Sequence, residues 1–296
     1  MIETGLAIAR WLQFAASVLL FGAPAFAVYG LNADARASEQ AWLKRLLMGA
    51  SVVGIIAALM MLCAEAAEMS GEAAQAFDPA TIWSVASGTN FGAVWALRLV
   101  LLCAMLGLAL KFPVRAGIAA LSVCGALVAA SLAWLGHGGE GGSMLGVLHQ
   151  GADVLHLLAA SFWIGALVVL VHVLRAGDKP SAQYALTRFS GIGALVVATL
   201  VLTGIVNTWA LTQPRPIGEA ITTPYAMVLL IKLGLFAGML VLAALNRWVL
   251  SPRLARASAE DATKALRRSV GAETVLAVLV IAAVAVLGVL EPPNAG

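Results

Sequence analysis

Long apolar runs separated by short polar links make up most of the chain. Eight of these runs have about 20 residues or more, which is enough to cross the hydrocarbon core of a bilayer as a helix. None shows the alternating polarity, in segments of about 10 residues, that a transmembrane β-barrel requires. The first run carries Glu3 and lacks the basic leading segment of a cleaved signal peptide. The pattern predicts eight transmembrane helices, over residues 5–29, 45–67, 90–110, 115–136, 146–174, 187–211, 225–249 and 270–290.

The composition agrees with an all-α polytopic protein embedded in the lipid bilayer. Hydrophobic residues make up 61% of the 296 positions, and charged residues only 11%. A soluble domain carries about 25% charged residues. The mean hydropathy of the chain is +0.95. The net charge of +3 does not indicate a nucleic-acid partner, because most of the basic residues lie in the links on one side of the membrane, where membrane topology explains them.

Lys and Arg gather in alternate links between the predicted spans. The positive-inside rule then places both termini outside the cytoplasm. The opposite links are acidic, either because cations are excluded there or because that surface attracts a cation, and charge alone does not separate these alternatives. For the last basic link, 251–268, the alternative to a topological role is docking of a small cytoplasmic partner. The basic positions are Arg36, Lys44, Arg45, Lys111, Arg115, Arg175, Lys179, Arg188, Arg247, Arg253, Arg256, Lys264, Arg267 and Arg268.

The two halves of the chain resemble each other in the order of a few residues. Threonine begins spans three and seven, and a cation follows nine residues later; spans one and five share a glycine. The matching pairs are Thr89 and Thr223, Arg98 and Lys232, and Gly22 and Gly165. Because each half has an even number of spans, the repeats would be parallel. The sequence predicts two parallel four-helix repeats, residues 1–136 and residues 137–296, with the histidine-rich site in the second.

Three polar side chains share one face of span five. His149 and His156 are seven residues apart, and Asp153 lies between them at helical spacing. The two histidines are about 10 Å apart along the helix axis, so they suit two stations or one site completed by other helices. Such groups also pair simply to satisfy interhelical hydrogen bonds, but ionisable residues inside a span are functional by default. We call His149, Asp153 and His156 the stripe, and we predict that it binds a metal ion or protons.

Further candidate ligands come from the links and spans near the start of span five. A glycine-rich link offers imidazole, carboxylate and thioether groups, and the adjacent half of span two offers thioether and thiol groups. Imidazole with soft sulfur suits copper, whereas zinc is more usually held by His with Cys or carboxylate. Trp163, seven residues after His156, is predicted to be an apolar floor that stops the site from opening inward. The added candidates are His137, Glu140, Met144, Met60, Met61 and Cys63.

Other classes of function fit the sequence less well. Haem held by two histidines needs axial ligands from facing segments, whereas three of the four histidines lie on one predicted helix. No HExxH, GxSxG or Walker sequence occurs, so neither enzymatic hydrolysis nor coupling to ATP is indicated. The two hypotheses are a copper permease or acceptor, and a membrane protein that holds haem or copper for electron transfer or assembly without transporting it.

Three stretches carry a resemblance to a known family. They read LHLLAASFWIGALVVL, RFSGIGALVVATLVLTGIVNTW and TTPYAMVLLIKLGLFAGMLVLAALNRWVLSPRL, within about residues 145–255. In this order the motifs resemble the CopD (PcoD) family of bacterial copper-resistance proteins of the inner membrane. The resemblance implies copper handling at the bacterial inner membrane, His156 as the family's motif histidine, and a separate periplasmic CopC-like copper carrier as partner.

Overall fold

Helices account for nearly all of the architecture. The computed structural model describes residues 2–135, 144–212, 223–256 and 259–291, and no strand occurs in these ranges. Eight of the described helices are long and apolar enough to cross a membrane, which confirms the predicted all-α polytopic fold. The helices are α1 (Ile2–Gly30), α2 (Ala33–Ser38), α3 (Gln40–Ser70), α4 (Pro79–Gly88), α5 (Asn90–Lys111), α6 (Val114–Ala130), α7 (Met144–Ala176), α8 (Lys179–Thr212), α9 (Pro224–Leu245), α10 (Ser251–Arg256) and α11 (Ala259–Leu287).

Short polar side chains and glycines fix where several helices begin and end. The Thr89 hydroxyl accepts a hydrogen bond from the Gly92 N–H at the start of α5, and Thr223 does the same for Ala226 at the start of α9. These side chains satisfy N–H groups that have no partner within the helix. Gly71, with φ of 73°, ends α3 in the left-handed conformation that glycine adopts most easily. The threonines matched in the two halves are therefore equivalent caps.

The link between the second and third spanning helices contains structure that the apolar pattern did not predict. A 3₁₀ turn over Ala73–Phe77 leads into α4, whose first turn is capped by the Asp78 carboxylate through a 2.7 Å bond from the Thr81 N–H. Phe77 and Trp83 are exposed on this segment. Exposed aromatic residues next to spanning helices are typical of the membrane–water interface. We infer that α4 lies along that interface.

Helices α1 and α7 cross at the centre of the bundle through a pair of glycines. A Cβ atom on Gly22 would overlap the backbone of Ser161 and Gly165, and a Cβ on Gly165 would overlap Gly22. The crossing therefore requires two residues without side chains. The glycines matched in the two halves touch each other at this crossing. The two-repeat organisation itself stays a prediction.

The remaining helices surround this central pair. Helix α1 also packs against α3 and α6, and α7 also packs against α8 and α11. Helix α9 packs mainly against α11 and is the least buried of the spanning helices. Basic side chains join the helix ends at one side: Lys44 Nζ donates to the Leu110 carbonyl, and Arg188 Nε donates to the Tyr29 carbonyl. We call this side, where α1, α5, α7 and α9 end, the basic face.

Candidate metal site on helix α7

The predicted stripe lies in the first half of α7, toward the face opposite the basic face. His149, Asp153 and His156 are all partly buried. Asn207 of α8 donates to Asp153 through a 3.1 Å bond from Nδ2 to Oδ1. Asp153 also lies within electrostatic range of His149 and of Lys232 on α9. Helices α7, α8 and α9 therefore place their polar groups around one carboxylate.

The hydrogen bonds of His156 determine which ring nitrogen is protonated. Its Nδ1 lies 2.9 Å from the Thr203 hydroxyl oxygen, and that hydroxyl donates its only proton to the Thr199 carbonyl at 2.6 Å. Thr203 can therefore only accept from His156, so Nδ1 carries the proton. Nε2 then has a lone pair; the Leu200 carbonyl also lies within hydrogen-bonding range of the ring, but as an acceptor it cannot occupy that lone pair. A metal-ligating histidine is held in this way, by a hydrogen bond from its other nitrogen.

Lys232 is the only cation near this group within the described ranges. It is half-buried on α9 and lies within electrostatic range of both Asp153 and His156. Tyr225, in the first turn of α9, lies within electrostatic range of Asp153. Sequence reasoning identified Lys232 as a repeat position and missed it as a site residue. The position of this lysine inside an apolar run was the sequence signal that indicated a functional role.

The candidate ligands from span two do not gather around the histidines. Met61 is buried in an apolar cluster with Leu6 and Ala9 of α1, whereas Met60 is exposed on another side of α3. Cys63 is half-buried. Helix α3, which carries all three, packs mainly against α1 and α5. Their role as ligands stays a prediction.

The candidates from the glycine-rich link cannot be placed around the stripe. His137 and Glu140 lie outside the described residues. Met144 begins α7, but its side chain is outside the description too. Among the residues that are described, no group of three His, Cys, Asp or Glu side chains lies close enough to hold a metal ion.

Trp163 is buried as expected for a packing residue, but it has a polar partner. Its Nε1 donates to Glu273 of α11 at 2.8 Å, and its ring meets Phe236 edge to face with centroids 6.1 Å apart. The other Glu273 oxygen accepts from Asn246 Nδ2 at 3.0 Å. Sequence reasoning missed Glu273, although a lone carboxylate in the last apolar run was a visible signal. Whether Trp163 closes the site inward stays a prediction.

His172, the fourth histidine, has structural partners near the basic face. Its Nε2 lies 2.6 Å from Glu39 Oε2, and its ring stacks on Trp42 at a centroid distance of 3.9 Å. Sixteen residues separate it from His156 along α7. It therefore serves as a built-in comparison for the two histidines of the stripe.

The first half of the chain has a buried cation in a different setting. Arg98 of α5 is 1% exposed and donates to the side chains of Gln13, Ser17 and Ser131 and to the Val128 carbonyl. All of these acceptors are neutral. The guanidinium thus links α1, α5 and α6 through four hydrogen bonds, whereas Lys232 lies within electrostatic range of a carboxylate and an imidazole.

Comparison with known proteins agrees with the resemblance seen in the motifs. Residues 1–147 match the family described as copper resistance protein D-like, N-terminal domain, and residues 183–287 match copper resistance protein D. Copper resistance protein D of Pseudomonas syringae pv. tomato is 33% identical, and the alignment covers 98% of each chain. Inner membrane protein YebZ of Escherichia coli (strain K12) is 28% identical, over 96% of this chain and 97% of that protein.

A third relative shares only a part of its length. Copper transport protein CutJ of Bacillus subtilis (strain 168) is 36% identical over 98 residues, which are 32% of this chain and 18% of that protein. No solved structure matches the chain. The two family matches and the full-length relative confirm the resemblance: the chain belongs to the copper resistance protein D family.

Proposed function

We propose that this protein is a copper permease or acceptor of the bacterial inner membrane, which takes copper from the periplasm toward the cytoplasm. The names of its relatives support copper and the inner membrane. The alternative is a protein that holds haem or copper for electron transfer or assembly without transport. Copper, whether it is transported or only held, would be bound in the first half of α7.

The observation that carries the proposal is the hydrogen bonding of His156. A neutral imidazole with Nδ1 bonded and Nε2 free is the form in which histidine binds a metal ion. Imidazole suits copper ions, and thioether suits the monovalent ion in particular. We therefore place the first ligand at His156 Nε2, and His149, one heptad earlier on the same face, as a second ligand or a neighbouring station.

Asp153 has two ways to act at this site. Its carboxylate, held by Asn207, either binds the ion or attracts it electrostatically while the histidines bind it. Lys232 lies within electrostatic range of the same carboxylate. A copper ion that approaches Asp153 therefore competes with an existing positive charge. This competition would weaken the hold on the ion, which suits a protein that must release its cargo.

The topology follows from the distribution of basic residues. If the basic face is cytoplasmic, both termini are periplasmic, and the start of α7 faces the periplasm. His137, Glu140 and Met144 would then lie on the path by which copper arrives, and a separate CopC-like carrier would deliver it there. Fusions to alkaline phosphatase at the C-terminus should be active, and cytoplasmic fluorescent reporters at the same place should not.

The site is tested by the copper content of purified variants. We expect His149→Ala and His156→Ala to lose copper and to lose copper-dependent growth effects, while inserting in the membrane at the wild-type level. His172→Ala is the matched control, because it removes the same side chain from the same helix and should retain copper. If both stripe variants keep wild-type copper and His172→Ala loses it, the site is at the wrong end of α7. A strong Soret band in the purified protein would favour the haem alternative.

A further inference from the structure

Glu273 is a fully buried carboxylate at the middle of a spanning helix. It is 0% exposed, 14 residues after the start of α11 and 14 before its end. Each of its oxygens accepts one hydrogen bond, from Trp163 Nε1 and from Asn246 Nδ2. Burying a carboxyl group in a membrane is costly, and such groups are retained mainly where they have a function.

No cation neutralises Glu273 within the described ranges. It forms no ion pair there, although α1, α7, α9, α10 and the turn after α9 all pack against α11. The titratable and charged side chains on these elements lie in other contacts or are exposed. Those in other contacts are Arg10 against Gly288, Tyr29 with Arg188, His149, Tyr225 and Lys232 near Asp153, His156 with Thr203, His172 with Glu39, and Arg247 beside a cavity. The exposed ones are Glu3, Arg175, Arg253, Asp261, Lys264, Arg267 and Arg268.

Asn246 is able to serve both protonation states of this carboxyl group. Its side chain is 8% exposed; Nδ2 donates to Glu273, and Oδ1 is buried with no partner among the described residues. Against a carboxylate, the amide offers its N–H. After a half-turn about its terminal bond, the same amide would offer Oδ1 to the O–H of a protonated carboxyl. Neither state leaves the Asn246–Glu273 contact without a hydrogen bond.

Polar side chains and a cavity lie on the basic-face side of this contact. Asn246 begins a single π-helical turn, Asn246–Leu250, which ends at Ser251. Such turns occur often at functional sites. Ser251 lines a cavity of about 290 Å³ together with Arg247, Gln183 and Ser190. The hydroxyls of Ser251 and Ser269 are buried without partners among the described residues, so water in this region would find several polar groups to bond.

We propose that Glu273 is an intramembrane proton-binding site that exchanges protons with the solvent at the basic face through this cavity. In the charged state, Trp163 and Asn246 hold the carboxylate; one proton from water converts it to the carboxylic acid, and the reverse step returns that proton. A metal ion fits poorly here, because both oxygens accept N–H groups and no imidazole or sulfur contacts them. The site is independent of the copper ligands and adds proton exchange to the proposed function.

Infrared spectroscopy of the chelator-treated protein tests this directly. We expect a carbonyl band of a protonated carboxyl group that disappears reversibly as the pH rises. Glu273→Gln should remove this band, and Glu65→Gln, which changes a different carboxylate that is only partly buried, should leave it in place. Persistence of the titrating band in Glu273→Gln, or the absence of any such band in the wild type, would overturn the proposal.

A second variant covers the case in which Glu273→Gln does not fold. Asn246→Leu keeps a similar volume but removes the donor to the carboxylate. Because a hydrogen bond favours the charged form it serves, the midpoint of the titration should rise by about one pH unit or more. An unchanged midpoint would show that Glu273 does not titrate in this contact. Since the measurement uses protein without copper, its result is independent of whether the α7 histidines bind the metal.

Discussion

The bond between His156 and Thr203 offers a test of the copper site that leaves every proposed ligand in place. Thr203→Val replaces the hydroxyl by a methyl group of similar size. The Nδ1 atom of His156, which lies 2.9 Å from the Thr203 hydroxyl oxygen, would lose this acceptor for its proton. The ring can then keep the proton on Nδ1 without the Thr203 acceptor, or move it to Nε2. The second choice removes the lone pair that copper needs.

The expected loss follows from the cost of either choice. Removing a group that orients a metal-binding histidine typically weakens metal affinity by about 10- to 100-fold. This corresponds to about 1.4 to 2.7 kcal/mol, in the range expected for a buried donor left without an acceptor. The number of copper ions bound at saturation should not change, because the ligands remain.

A competition titration with a chromogenic copper chelator measures this affinity in detergent. Thr199→Val is the matched control: it removes a hydroxyl one turn away on α8 that donates only to the Leu195 carbonyl within the same helix. Its affinity should equal that of the wild type. Wild-type affinity in Thr203→Val, or an equal loss in both variants, would refute the role assigned to the Thr203 hydroxyl.

Three further outcomes test the fold around the site. Gly165→Ala should lower the free energy of unfolding in detergent by about 1–3 kcal/mol, because its methyl group would overlap the backbone of α1. Gly234→Ala should leave this free energy unchanged, because a Cβ atom there would meet open space. Thr223→Ala should speed amide exchange in the first turn of α9 by the loss of a cap of about 1 kcal/mol. Hydrogen bonds from Thr81 lower the pKa of Asp78. The stabilisation from this cap is therefore fully present above the unfolded pKa of about 3.9 and is lost as the pH falls through the lower folded pKa. Amide exchange of α4 should accelerate over that acidic range. Asp78→Asn should remove this dependence of the exchange rate on pH.

The sequence was sufficient for the spans because transmembrane helices need only length and apolar composition. It also placed Thr89 and Thr223 correctly at helix starts, since a capping side chain acts within one turn. The partners of the stripe could not be found in this way. Thr203, Asn207 and Lys232 approach α7 from two other helices, and no local pattern states which faces of separate helices will meet.

Single ionisable residues within apolar runs were the sequence signal most easily overlooked. Glu273 stands alone in an apolar run, and its partners lie 110 and 27 residues away along the chain. Helix α4 was missed for the opposite reason. Its ten residues are too few to span a membrane, and they begin with an Asp-Pro pair that serves equally as a turn or as a cap and first helical residue.

The glycine contact between α1 and α7 also limits how this protein can move. With no side chains between the two backbones, neither helix can roll or slide past the other without a collision at Gly22 and Gly165. The pair therefore behaves as a rigid spine. For the proposed transport, we expect the rearrangement to come from the least buried spanning helices, α8 and α9, which carry Thr203, Asn207 and Lys232. If His149 and His156 bind copper as proposed, they would stay with the spine while their hydrogen-bonding and charged partners move away, so release would come from changing a ligand's surroundings rather than from moving the ligand.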